Sequence, residues 1–155
     1  MSDPFSDPVR APETTRPETP AAKAAAAAAL DAAAARRGAL GAILALVFPG
    51  LGHLYLGRKG RALLFAAVVL VAVAIGAKLD GNLYTPMAGH PLTYLATLGS
   101  MGMGLPYFLL LYPLHYAGDV TAQGYDYGTA FLLSAGLMNL LLVLDAWDIA
   151  TGRKE

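Results

Sequence analysis

From residue 39 onward the chain is built of four long apolar stretches separated by short polar interruptions. Positions 39–57 give 19 residues, about 28 Å of helix at 1.5 Å per residue, which matches the hydrocarbon thickness of a bilayer. Positions 62–77, "ALLFAAVVLVAVAIGA", carry no charge and are bracketed by Arg61 and Lys78, whose aliphatic stems can reach the polar interface. Positions 92–115 contain Pro106 and Pro113, which membrane helices tolerate better than soluble ones, so a kink near Pro106 is expected. Positions 129–149 close on Trp147 between two aspartates, as a span reaching the interface does. The linkers "DGNLYTPMAGHP" and "YAGDVTAQGYDYG" hold the Gly, Pro, Asp and Asn of loops.

Upstream of residue 39 the pattern is different. Residues 1–18 are rich in Pro, Thr, Asp and Arg, with too little apolar surface to offset the entropy of ordering, so this tail is expected to be disordered. Residues 19–38 read as an alanine-rich helical arm, with Thr19 as N-cap, Pro20 in the first turn and Gly38 closing it. Alanine offers little area to bury, so the arm is expected in water or along the headgroups. Residues 39–155 then form the membrane domain. A removable secretory signal is not expected, because the first apolar run lies behind a long polar tail and lacks a cleavage box.

Composition supports lipid as the solvent: 56% of residues are apolar and 14% charged, against roughly a quarter charged in soluble domains. Eleven basic and eleven acidic residues cancel, and they sit in short clusters that make no basic field, so nucleic acid is not an expected partner. The absence of cysteine removes thiolate metal sites and a cysteine nucleophile. His53, His90 and His115 fall near different segment ends without metal-ligand spacing. His115 and Asp119 stand one residue short of the acyltransferase His-x4-Asp spacing. No catalytic residue, metal or cofactor is expected.

Orientation is balanced between two topologies. With four crossings, Arg36, Arg37, Lys78, Arg153 and Lys154 share one side and Arg58, Lys59 and Arg61 the other. With the first segment re-entrant at Pro49, Arg36, Arg37, Arg58, Lys59 and Arg61 oppose Lys78, Arg153 and Lys154. The positive-inside rule scores each at five against three. Four crossings are preferred on length.

One stretch interrupts the apolar pattern, "FPGLGHLYLGRKGR" at 48–61. Pro49, Gly50, Gly52, Tyr55, Gly57 and Arg58, followed at once by a second apolar helix, resemble the turn of the TM-two domain family of two-helix membrane hairpins. The close "LLLVLDAWDIATGRK" also resembles the acidic end of its second helix. The resemblance implies an uncharacterised bacterial membrane protein built on that hairpin, in the inner membrane. The Asp-Arg-Phe or His-Arg-Phe triplet common in those turns is missing, and Gly52-His53-Leu54 stands before Tyr55. Physically, the glycines allow close approach and positive φ, and Tyr55 anchors at headgroup depth. The turn is thus either a plain interfacial hairpin or, with Pro49, Gly50, Gly52, His53, Tyr55, Gly57, Arg58, Lys59 and Arg61, a headgroup-binding nest.

Asn139 is the strongly polar side chain inside a span and needs a partner on a neighbouring helix. Small residues recur every four positions at Ala96, Ser100 and Gly104, and at Ala72 and Gly76, surfaces that admit another backbone. Both topologies place Lys78 beside Asp145 and Asp148, and the basic turn beside Asp119 and Asp126. The expected fold is therefore an all-α integral membrane bundle of about four transmembrane helices, the first either crossing or re-entrant. The expected function is a non-enzymatic scaffold or accessory subunit, with a membrane protein or a second copy as partner. The alternative is a protein that binds or modifies lipid headgroups at 49–61.

Overall fold

The structure is a computed structural model that describes residues 19–87 and 89–153. The expected disordered tail 1–18 lies outside them. Six helices follow in order: α1 Pro20–Val47, α2 Leu51–Tyr55, α3 Lys59–Lys78, α4 Pro91–Met101, α5 Leu105–Leu111 and α6 Tyr125–Ala150. Among the described residues there is no strand. Helices α3 and α6 are each long and apolar enough to cross a membrane, and α4 with α5 would make a third such element if counted as one bent span.

The surface of this bundle is oily and its interior small. Leu63 is 75% exposed, Leu92 79% and Leu141 66%, whereas buried positions of α6 include Gly128, Ala135, Gly136 and Ala146. A water-soluble bundle would invert that arrangement. Glycine and alanine instead let backbones approach, the packing used where lipid removes any hydrophobic drive between helices. A Cβ at Gly136 would collide with the Gly99 carbonyl, and one at Gly76 would stand 2.7 Å from Leu132 Cγ. The Ala72 and Gly76 stripe thus meets α6 through Gly76, whereas Gly104 of the other stripe lies against α1, and the chain around α4 approaches α6 at Gly99 and Gly102.

Helix α1 starts as its residues predict. Thr19 Oγ1 accepts from the Ala22 N–H at 3.4 Å, and Pro20 fills the first turn. Gly38 does not close it; the helix continues to Val47, and Gly38 packs against the indole of Trp147. At Phe48 the backbone turns extended, and Gly50, at φ 86°, reverses the chain. Helix α2 then returns alongside α1, placing Gly52 against Gly41 and Ala45. The 19 residues expected to form one crossing therefore double back, because Pro49 removes a helical donor and Gly50 permits the left-handed conformation.

The segment 92–115 repeats this behaviour from the opposite end. Helix α4 runs along α6 and stops at Met101; Gly104, at φ 70°, redirects the chain, and α5 leaves at 113° to α4. Pro106 stands in the first turn of the new helix, where its missing N–H removes no hydrogen bond within α5. The expected kink is thus a complete break. Tyr107 Oη then donates to Tyr84 O, and Tyr116 Oη to Gly81 O at 2.8 Å, which ties the returning chain to the loop after α3. In that loop cluster Thr121 donates twice to the exposed Asp119 carboxylate, holding it below the usual carboxylate range.

Two reversals change which charges share an end. Helix α3 runs antiparallel to α6, with Gly76 against Gly128 and Leu79 against Gly124. Lys78 therefore lies at the Asp119 and Asp126 end, and the basic turn at the Asp145 and Asp148 end, the reverse of both expected pairings. A cysteine pair tests this directly in a chain without others. A Cβ at 124 would fall 3.1 Å from Leu79 Cβ, near the ~3.5–4.5 Å of a disulfide. Leu79→Cys with Gly124→Cys is expected to crosslink on oxidation. Lys78→Cys with Asp148→Cys is not, since roughly 30 Å of α6 separates position 128 from 148; an efficient 78 to 148 crosslink would refute the antiparallel arrangement.

Candidate functional site

The turn 48–61 divides into a buried half and an open half. Pro49, Gly50, Gly52 and His53 are buried. A Cβ at Gly50 would strike the Ala62 carbonyl and stand 3.1 Å from Ala66 Cβ, while Gly52 is pressed against the Gly41 carbonyl and 2.7 Å from Ala45 Cβ. These glycines are packed against the protein's own backbone and leave no room for a ligand nest. Gly57 is different: nothing lies within 4 Å of its Cβ position, and its φ of 79° is what requires glycine.

His53 is fully buried, so it cannot reach a headgroup. Its Nε2 lies 2.9 Å from Asp145 Oδ2 on α6, and its ring meets Phe65 of α3 edge-on with centroids 5.0 Å apart. The carboxylate can only accept in its ionised form, so Nε2 carries the hydrogen and donates. Nδ1 has no partner among the described residues. One short helix is thereby fastened to both long ones through a single imidazole.

Asn139 performs the larger connection. It is fully buried near the middle of α6, and its Nδ2 donates to Ala45 O at 3.0 Å and to Gly102 O at 2.8 Å. Each carbonyl belongs to a residue four before a proline, Pro49 and Pro106. A helix would satisfy such a carbonyl from the N–H four residues on, which proline lacks. The two hydrogens of one amide replace both missing donors. The tips of the two fold-backs meet here, with Gly104 lodged against the carbonyls of Leu46 and Val47.

The open half of the turn faces a cavity of about 470 Å³ bounded by Arg37, Tyr55, Leu56, Gly57, Arg58 and Ala150. Its walls come from α1, α2, the residue capping α3 and the end of α6. Lys59 and Arg61 are exposed outside it. Asp145 pairs with His53 and Asp148 with Arg153, the latter at 3.8 Å. Lys78, Asp119 and Asp126 are gathered at the far end, away from this cavity. Among the described residues no three His, Asp or Glu side chains come together as a metal site needs.

Sequence reasoning singled out Asn139, Tyr55 and Arg58 but gave no sign of two features. Arg37 entered only as a charge to be counted, because the fold-back that brings it to Arg58 was not the preferred topology. The His53–Asp145 pair joins residues 92 positions apart, and no spacing signals it.

These features define a class, small all-helical proteins with apolar helices able to cross a membrane and two internal fold-backs joined by a buried amide. The chain belongs to the family described as "Family of unknown function (DUF6677)", which matches residues 40–155. No curated protein and no solved structure matches it.

Replacing Asn139 by leucine preserves volume and strands two buried carbonyls. A buried group without a partner costs about 1–3 kcal/mol, and membrane hydrogen bonds average about 0.6 kcal/mol each. Asn139→Leu is therefore expected to lower unfolding free energy by about 1–3 kcal/mol in a denaturant titration of the purified protein. A change below about 0.5 kcal/mol would show that the tips hold without the amide.

Proposed function

We propose that this protein is a non-enzymatic integral membrane scaffold, embedded in a bacterial cytoplasmic membrane, that couples a projecting helical arm to a rigid membrane base. On this reading α3 and α6 cross, while the hairpins ending at Gly50 and Gly104 each enter halfway and return. The two hairpins enter from opposite faces. Such irregular backbone is tolerated at membrane depth only where protein buries it, and Asn139 supplies that condition. The stretch resembling the TM-two turn then serves a fold-back rather than joining two spans.

Orientation follows from the same geometry. The ends of the bundle divide the basic residues of 36–153 into Arg36, Arg37, Arg58, Lys59, Arg61 and Arg153 against Lys78. Six against one replaces the tie of the simpler topologies and supports a cytoplasmic arm, basic turn and α6 end.

The observation that carries the scaffold reading is the continuity of α1. Residues 20–33 are all exposed, and the same unbroken helix enters the bundle at Gly38. From Pro20 to Gly38 it projects roughly 27 Å. A partner gripping the arm would be held rigidly relative to the membrane. A headgroup reading has its own support, since Tyr55, Gly57 and Arg58 open onto a polar cavity at the basic end.

Two measurements test these statements. Single cysteines at 58, 61 and 153 are expected to react with an impermeant maleimide only from the cytoplasmic face, and those at 78, 119 and 126 only from the other. Reaction at 119 and 58 from the same face would remove the second fold-back. Deleting residues 1–35 is expected to leave insertion and the unfolding midpoint unchanged, since those residues bury almost nothing, while abolishing stoichiometric co-purification of a protein partner. Equal recovery of partner with and without the arm would refute the scaffold role.

A further inference from the structure

We propose that the cavity between Arg37, Tyr55 and Arg58 is a binding site for a phosphate-bearing anion, foremost the headgroup of an anionic phospholipid. This deepens the headgroup reading and rests on the orientation above. The hollows along α3 and α6 are walled by side chains such as Val68, Val71 and Phe131. This one is lined by two arginines from separate elements around a half-open space, together with the exposed Tyr55.

The state of the surrounding hydrogen-bonding groups makes the case specific. Arginines near helix ends often serve the last carbonyls of those helices. Here the chain serves them itself. Leu56 N–H donates to Gly52 O, Gly57 N–H to Leu54 O and Arg58 N–H to His53 O at the end of α2. At the end of α6, Thr151 N–H and Oγ1 both donate to Trp147 O, Arg153 N–H donates to Asp148 O and Gly152 N–H to Ile149 O. Neither the Arg37 nor the Arg58 guanidinium donates to an acceptor among the described residues, nor has a carboxylate within 4.0 Å.

Two arginines therefore line one cavity with neither guanidinium engaged by an acceptor among the described residues. Phosphate oxygens suit that geometry, because the planar guanidinium binds them bidentately. The field adds to it. Arg58 caps α3, whose first turn carries no acidic residue and whose N-terminal N–H groups receive no side-chain cap, so the positive end of a 20-residue helix stands at the cavity's edge. The cavity opens at the level of Trp147 and Tyr55, aromatic residues of the kind that settle at headgroups. Cytoplasmic leaflets supply the anionic lipid.

The test uses the full chain in nanodiscs of phosphatidylcholine containing a minority of phosphatidylglycerol, with retained lipid read by native mass spectrometry. The wild type is expected to retain phosphatidylglycerol selectively. Arg37→Gln with Arg58→Gln should weaken retention roughly 30-fold, at about one basic residue's membrane attraction each. Lys59→Gln with Arg61→Gln, which removes equal charge outside the cavity, should weaken it less than threefold. Equal losses from the two pairs, or none from the first, would overturn the site. If the glutamine pair does not fold, Arg37→Lys with Arg58→Lys keeps the charge, and a loss of selectivity there supports bidentate recognition while unchanged selectivity refutes it. Glycerol 3-phosphate at millimolar concentration separates the sources. Binding of it without lipid retention assigns the cavity to a soluble phosphoryl compound, lipid retention without competition assigns it to phospholipid, and the absence of both refutes it. The labelling experiment reads only sidedness, so it fails or succeeds independently of this one.

Discussion

One primary amide compensates for two prolines. Pro49 and Pro106 each deprive a carbonyl four residues earlier of its helical donor, and in an apolar interior no water can take that place. Asn139 donates to both, at Ala45 and Gly102. Helices α1 and α4 stop at the breaks around Pro49-Gly50 and Gly104 to Pro106, where a straight helix would have continued, and the amide makes those ends stable inside the bundle. Without such a donor either chain reversal would bury an unsatisfied carbonyl at the deepest point of the structure. The remaining packing is arranged around that meeting point: Gly104 against the carbonyls of Leu46 and Val47, and Gly136 against that of Gly99.

The two halves of the chain solve this problem in the same way. Each consists of a helix that stops at the middle, a glycine with positive φ, a short returning helix and a long helix that runs the whole length. The first half does so with α1, Gly50, α2 and α3, the second with α4, Gly104, α5 and α6. They start from opposite ends, the relation found between inverted repeats in membrane proteins. The fastenings differ. His53 ties the first returning helix to Asp145, whereas Tyr107 and Tyr116 tie the second to loop carbonyls. Asn139 belongs to the second half yet serves both.

What the sequence made legible follows from this. Apolar length identified α3 and α6, because a straight helix of that hydropathy has only one way to satisfy its backbone in lipid. Asn139 stood out as an amide in an apolar run, and its need for a partner was clear, though not that the partners would be backbone carbonyls. The fold-backs were harder to read. Hydropathy summed over 39–57 or 92–115 is identical for a crossing helix and for one that doubles back. Pro49-Gly50 and Gly104 to Pro106 carried the signal, but proline in an apolar stretch reads equally as a tolerated kink. Misreading both reversals leaves each segment in place and exchanges the ends of the bundle, which is why Lys78 was assigned to Asp145 and Asp148 when it lies with Asp119 and Asp126. The candidate cavity was half legible: Tyr55 and Arg58 belong to the local motif, and Arg37 reaches them only because α2 returns beside α1.

The same return explains why the basic residues are concentrated at one end. A hairpin that enters and leaves through one face keeps the charges flanking it, Arg36 and Arg37 before and Arg58, Lys59 and Arg61 after, on that face. A crossing segment would have divided them. The first fold-back thus sets the charge asymmetry on which the proposed orientation rests, and it also draws α1 and the start of α3 close enough for two arginines to share one cavity. The proposed orientation and the proposed anion site have a common cause in the proline at position 49, and that proline is tolerated because α6 supplies an amide at position 139.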